Sequence, residues 1–260
     1  MNIDLTGKHA VVCGSTQGIG KCVALQLSKM GASITLVARN EDKLKAVLGE
    51  LKSNKKNDYI VADFSKPDLL EKKIKEWSKN NVANILLNNT GGPKGGPIRN
   101  AKIEEFTSAF THHLICNHIM VQALYPGMKS AGYGRIINII STSVKQPLDG
   151  LGVSNTVRGA VANWSKTMAN ELGQYNITVN NVLPGATNTV RLQSIAESKA
   201  AQSTGLNYDE IIESMAALSP MKRIAQPEEI ANAVAFLASP AASYINGINV
   251  PVDGGRTKSL

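Results

Sequence analysis

The chain is short of cysteine, of aromatic rings and of any long apolar run, and each shortage excludes something. Its three cysteines, Cys13, Cys22 and Cys116, are odd in number and show no C-x-x-C spacing. Neither a disulfide framework nor a thiolate zinc site follows from them, and core packing is their expected role. No stretch approaches the roughly 18–20 apolar residues a membrane span requires, and the opening MNIDLTGKHA lacks the cationic start and apolar centre of a secretory signal. A cytoplasmic protein with no membrane partner is expected. The four histidines, His9, His112, His113 and His118, form no H-E-x-x-H pattern, so no metal site is expected. Aromatic residues make up 5% of the chain and are not interleaved with any basic cluster, which argues against nucleic acid as a partner.

What is present is enough apolar material for a sizeable core: 260 residues, 43% hydrophobic and 18% charged. The net charge of +8 is spread thinly, because the lysine-dense stretch from Lys43 to Lys79 is interleaved with Glu41, Asp42, Glu50, Asp58, Glu71 and Glu76. A mildly positive surface suits an anionic cofactor or substrate.

Short β-branched runs alternate with longer amphipathic stretches. HAVVCG, SITLVA, DYIVA, NILLN, RIINII, ITVNNVL and INVPV read as seven strands. Val157, Val161, Trp164, Met168 and Leu172 step by three or four and mark one face of a helix. Strands that are apolar throughout are buried on both faces, so helices must cover both sides of a parallel sheet. The expected fold is a single α/β domain over residues 1–260, a Rossmann-type doubly wound sheet of about seven parallel strands. Residues 189–219 break the alternation with a mostly polar excursion carrying Leu192, Ile195, Leu206, Tyr208, Ile211 and Met215. An insertion at the ligand edge of such a sheet reads as a lid.

Immediately after the first strand comes Gly14-Ser15-Thr16-Gln17-Gly18-Ile19-Gly20, opening into a helical pattern. Glycines there permit a tight turn and close approach of backbone to a pyrophosphate, which the free N–H groups of the helix start can hold. This G-x-x-x-G-x-G spacing, with Asn88-Asn89-Thr90-Gly91, Ser141, Pro184-Gly185 and a closing VDGG, resembles the short-chain dehydrogenase/reductase family. The likeness runs from about Leu5 to Gly255 and is nearest the 3-oxoacyl-acyl-carrier-protein reductases. It implies that Gly14, Ser15, Gln17, Gly18 and Ile19 line the cofactor phosphates, Asp63 and Phe64 the adenine, and Asn89 and Gly91 the ribose region. Pro184 and Gly185 would follow at the nicotinamide, with Thr187 and Thr189 approaching its carboxamide. It also implies a homodimer or homotetramer.

The second strand ends in Val37-Ala38-Arg39-Asn40. Dehydrogenases that use NAD place a carboxylate there for the ribose hydroxyls, whereas a 2′-phosphate needs positive charge. Arg39 supplies it, so NADP(H) is expected over NAD(H).

The catalytic positions depart from the family, whose reductases pair a serine with Y-x-x-x-K on the next helix. Counting thirteen and seventeen residues on from Ser141 gives Ser154 and Arg158, and the family asparagine falls on His113. Tyrosine works as acid or base because a nearby cation lowers a phenol from a pKa of about 10; an aliphatic alcohol is far weaker. Arg158 can orient the cofactor ribose but cannot relay a proton, since guanidinium stays charged. His113 titrates near neutrality when unperturbed, and two roles are open to it: proton donor through a water, or filler of the space left by the lost relay. Lys94, in the Gly91–Pro97 stretch, reads first as part of a simple turn and second as a contact for an anionic substrate. Two functions therefore compete, a divergent NADP(H)-dependent oxidoreductase of carbonyl or alcohol groups and a cofactor-binding pseudo-reductase acting as sensor, scaffold or partner subunit. A third reading, the halohydrin dehalogenases, keeps the tyrosine and gives up the nucleotide loop, the opposite of this chain.

Overall fold

The structure is a computed structural model and describes residues 1–52, 56–202 and 207–259. Seven strands form one parallel sheet: β1 (His9–Cys13), β2 (Ser33–Ala38), β3 (Asp58–Val61), β4 (Ile85–Asn88), β5 (Gly134–Ile139), β6 (Ile177–Pro184) and β7 (Asn249–Val252). Their order is β3-β2-β1-β4-β5-β6-β7. The winding therefore reverses between β1 and β4, and the crevice beyond their carboxyl ends is where such sheets bind ligands.

Successive side chains of each strand leave on opposite faces, so two cores form. Ala10 and Val12 of β1 pack with α1 (Gly18–Lys29), α2 (Glu41–Glu50) and α9 (Pro227–Ala238), through Val23, Leu44 and Val234. Val11 and Cys13 face the other way, onto α3 (Pro67–Ser78), α5 (Cys116–Ser130) and α6 (Gly152–Leu172), through Ile74, Met120 and Leu172. Cys13 and Cys116 are buried in that second core, and Cys22 packs partly buried against the first. The remaining helices are α4 (Ile103–Phe110), α7 (Val190–Gln202) and α8 (Tyr208–Ala217). The expected lid thus comprises α7 and α8; Leu206 lies outside the described residues.

An amide ladder, buried over most of its length, pins the strand register across the β4–β7 half of the sheet. Asn88 Nδ2 donates to Asn138 Oδ1 at 2.8 Å, Asn138 Nδ2 donates to Asn181 Oδ1 at 3.0 Å, and Asn181 Nδ2 donates to Asn249 Oδ1 at 2.8 Å. The chain crosses from β4 to β7 through four asparagines that would each be costly to bury unpaired. No helix among the described residues is long and apolar enough to cross a membrane, and no described group of His, Cys, Asp or Glu is arranged to hold a metal ion.

Candidate active site

The turn after β1 is packed so tightly that only glycine fits. Gly14 has φ +61, and a Cβ there would lie 2.6 Å from the Asn89 carbonyl oxygen; at Gly20 it would lie 2.2 Å from the Gly14 carbonyl oxygen. Strand end, turn and helix start are thereby drawn together. Asn89 Nδ2 ties the switch point from the other side, donating to the carbonyls of Cys13 at 3.3 Å and Gly14 at 3.4 Å. Helix α1 begins after an extended Gln17 whose side chain caps nothing, and its first turn holds no acidic residue. A helix start left without a side-chain acceptor and without negative charge suits a pyrophosphate.

A cleft of about 670 Å³ opens from this turn along the carboxyl edge of the sheet. Gly14, Gln17, Gly18 and Ile19 line the end at the glycine turn, and Arg39, Asp63 and Phe64 line the side below β2 and β3. Asn89, Gly91, Pro184, Gly185, Thr187 and Thr189 continue the wall. Ser15 differs: it is fully buried, outside this lining, with its hydroxyl directed to the Val37 carbonyl at 3.4 Å. The turn sends Ser15 inward, and Thr16 takes its place on the cleft wall. Asp63 accepts the Ser65 backbone N–H at 2.9 Å, and this contact, aided by nearby Arg39, holds its carboxyl below the usual range. Thr187 Oγ1 donates to the Gly185 carbonyl at 3.1 Å, and Thr189 Oγ1 to the Thr187 carbonyl at 3.2 Å, which stiffens the loop leading into α7.

At the other end Ser141, Ser154 and Arg158 line the cleft together. Ser141 accepts the Ser143 N–H at 3.1 Å. Ser154 and Arg158 are one turn apart on α6. Arg158 is only 8% exposed; its Nη1 donates to the Ile139 carbonyl at 2.7 Å and its Nε has no partner. Burial, with Arg191 nearby, lowers it to about 10, so it remains charged at neutral pH.

His113 stands apart from this group. It is 2% exposed, lies outside the cleft lining, and its Nδ1 is 2.6 Å from Thr90 Oγ1. Burial, then Arg158, His112 and Arg191, push it down to about 2: it is a neutral imidazole behind the wall. Its neighbour His112 does line the cleft, with Nδ1 2.6 Å from the Ser108 carbonyl oxygen. The chain makes a π-helical turn over Thr111–Ile115, between α4 and α5, and this sets which of the two histidines faces in.

Lys43, His112 and Arg191 reach the cleft without having been singled out by a motif. Lys43 was within reach of inference, since it sits four residues beyond Arg39 in the first turn of α2. Arg191, at the start of α7, carried no signal of its own; its Nη2 donates to the Pro93 carbonyl. That contact fastens α7 to the turn after β4, while Lys94 of the same turn stays outside the lining. No tyrosine among the described residues lines the cleft, and Tyr208 is exposed on α8.

A parallel sheet that reverses its winding, with a glycine turn and an uncapped helix start at the switch point, has the architecture of the Rossmann-type dinucleotide-binding folds. Comparison with known proteins makes the class specific. Residues 14–257 match the family model described as Enoyl-(Acyl carrier protein) reductase. The chain is 33% identical over 256 residues to a tropinone reductase homolog of Arabidopsis thaliana, covering 97% of this chain and 93% of the relative. It is 30% identical over 263 residues to the NADPH-dependent reductase BacG of Bacillus subtilis, covering 98% and 100%. The solved structure of L-sorbose reductase from Gluconobacter frateurii, complexed with NADPH and L-sorbose, superposes with a TM-score of 0.92 at 32% identity over 100% of both chains. The chain belongs to the short-chain dehydrogenase/reductase family.

Proposed function

We propose that the chain is an NADP(H)-dependent oxidoreductase acting on a carbonyl or alcohol group, with a proton-transfer site that has diverged from the family pattern. One observation carries this reading. At the end of β2 the cleft is lined by Arg39 and Lys43, with Ala38 where an NAD-preferring relative would carry a carboxylate. Two cations and no carboxylate at position 38 suit a 2′-phosphate. Two relatives support it, since BacG is NADPH-dependent and the sorbose reductase was solved with NADPH.

In this reading the start of α1 holds the pyrophosphate, Asp63 and Phe64 border the adenine, and Asn89 and Gly91 border the ribose. Pro184, Gly185, Thr187 and Thr189 seat the nicotinamide. The bound cofactor supplies or accepts the hydride. Ser141 polarises the substrate oxygen, and Arg158 orients the ribose and adds positive field. Ser154 is too weak an acid for the phenol's work, and neutral His113 fills the space beside Thr90. Proton transfer is left to water or to His112, which faces the cleft.

The pseudo-reductase reading keeps one observation in its favour: Ser154 and Arg158 stand where the family's reacting phenol and ammonium belong. It shares the cofactor site and differs only in turnover.

Arg39→Asp tests the cofactor assignment. Charge-assisted contacts contribute about 1.5–3 kcal/mol, so NADPH affinity is expected to fall about 10–100-fold by calorimetry while NADH affinity holds or rises. An unchanged NADPH affinity would remove Arg39 from the site.

A further inference from the structure

The two arginines at the catalytic end are not used up by the cofactor. Arg39 and Lys43 answer the 2′-phosphate, and the start of α1 answers the pyrophosphate. Arg158 is left with a carbonyl partner and a ribose hydroxyl, both neutral. Arg191 is left with the Pro93 carbonyl. Neither forms an ion pair with any described carboxylate.

Both guanidinium groups nevertheless line one cleft. Arg158 is more than nine-tenths buried and its Nε has no partner. Arg191 is half-buried and seated against Gly92, where a Cβ would come within 3.5 Å of its Nε and Nη2. Burial disfavours the charge on each, and the positive charge of Arg191 adds to the effect at Arg158. Two like charges lining one cleft, one of them withdrawn from bulk water, are unfavourable until an anion joins them. Arginine's planar fork matches a carboxylate with two parallel hydrogen bonds. Ser154, on the same helix face as Arg158, leaves open the volume that a phenol would fill, so a substrate group can reach the pair.

Resting on the NADP(H) reading, we propose that Arg158 and Arg191 form the subsite for an anionic group of the substrate, and that this substrate is a carbonyl compound carrying a carboxylate. Arg191 arrives on α7, so the lid would deliver half of the site.

Calorimetry on the full chain saturated with NADP⁺ tests this. The probes are 2-oxobutanoate, acetoacetate and 4-oxopentanoate, each beside its methyl ester, which keeps the ketone and removes the charge. At least one acid is expected to bind about tenfold or more tighter than its ester. Arg191→Gln should abolish that preference, Arg191→Lys should retain part of it, and NADP⁺ affinity should stay within about twofold in both, because Arg191 is not assigned to the cofactor. Acids binding no better than esters, or no acid binding, would overturn the site. So would an Arg191→Gln variant that loses NADP⁺ affinity while keeping the acid, which would give Arg191 to the cofactor. Dihydroxyacetone phosphate outcompeting every acid through Arg191 would overturn the carboxylate assignment. NADP⁺ failing to bind the native chain would be seen in the first titration; it would strike the cofactor reading itself and the subsite with it.

Discussion

Ser154→Tyr combined with Arg158→Lys is expected to raise NADPH-dependent ketone reduction by about 10²–10⁴-fold, the usual worth of a positioned acid. Positions 154 and 158 lie one turn apart on α6 and both face the cleft beside Ser141. A phenol at 154 would therefore enter the substrate space next to the serine hydroxyl, and a lysine at 158 would bring its ammonium beneath that phenol. The Ile139 carbonyl that now accepts from Arg158 at 2.7 Å is there to receive the ammonium. The cation would lower the phenol toward neutrality, which serine cannot follow. Arg158→Lys alone separates the two effects, since it keeps the charge and adds no acid. Initial rates of NADPH oxidation over ketones, quinones and β-ketoacyl thioesters provide the measurement. A folded double variant that still binds NADPH yet gains nothing on any of them would show that the space before Ser141 is not a carbonyl site. A silent native chain beside an active double variant would favour the pseudo-reductase reading.

The second large effect is on stability in mild acid. His9 is held down to about 4, first by burial and then by Lys56, and His113 is held to about 2 by burial and three neighbouring cations or imidazoles. Both folded values lie below the ordinary histidine value of 6.5, so between the two values the unfolded chain binds the extra protons. The stability that comes from keeping these rings neutral is complete above about pH 6.5 and is lost as pH falls below it. Each ring costs about 1.4 kcal/mol per pH unit in that window, so the pair costs close to ~3 kcal/mol per unit until His9 itself titrates. From pH 6 to 5 carboxylates contribute little, which isolates the histidines. His113→Asn, restoring the residue type that the family resemblance places there, is expected to halve the slope, and its amide can still meet Thr90. Urea unfolding between pH 7.5 and 5 reads the slope. Equal slopes in native and variant chains would mean that His113 is reachable by protons in the folded state.

Most of the scaffold was legible because it follows from burial. Strands covered on both faces are largely apolar, apart from the paired asparagines of the ladder, and all seven runs read as strands became strands within a residue or two of their expected limits. The glycine cradle was legible for a similar reason: the Gly14 carbonyl comes so near Gly20 that no other residue fits. Ser15 was harder to place, because whether its hydroxyl looks outward or toward Val37 depends on one rotation within a tight turn. The adjacent histidines show the limit of periodicity more sharply. Neighbouring residues on a helix are separated by about 100°, and the π-turn over Thr111–Ile115 shifts that phase by an amount no sequence period encodes. It puts His112 in the cleft and His113 behind it. Arg191 was hidden for another reason. Its place depends on α7 folding back onto the turn after β4, a tertiary contact made to a backbone carbonyl, which leaves no side-chain signature at Pro93.

The account rests on a dinucleotide held at the switch point of the sheet, and direct titration of the native chain with the two dinucleotides tests it. NADPH is expected to bind with one site per chain and about tenfold or more tighter than NADH, reflecting the charge-assisted contacts of Arg39 and Lys43. No heat of binding from either dinucleotide, or a preference for NADH, would contradict it.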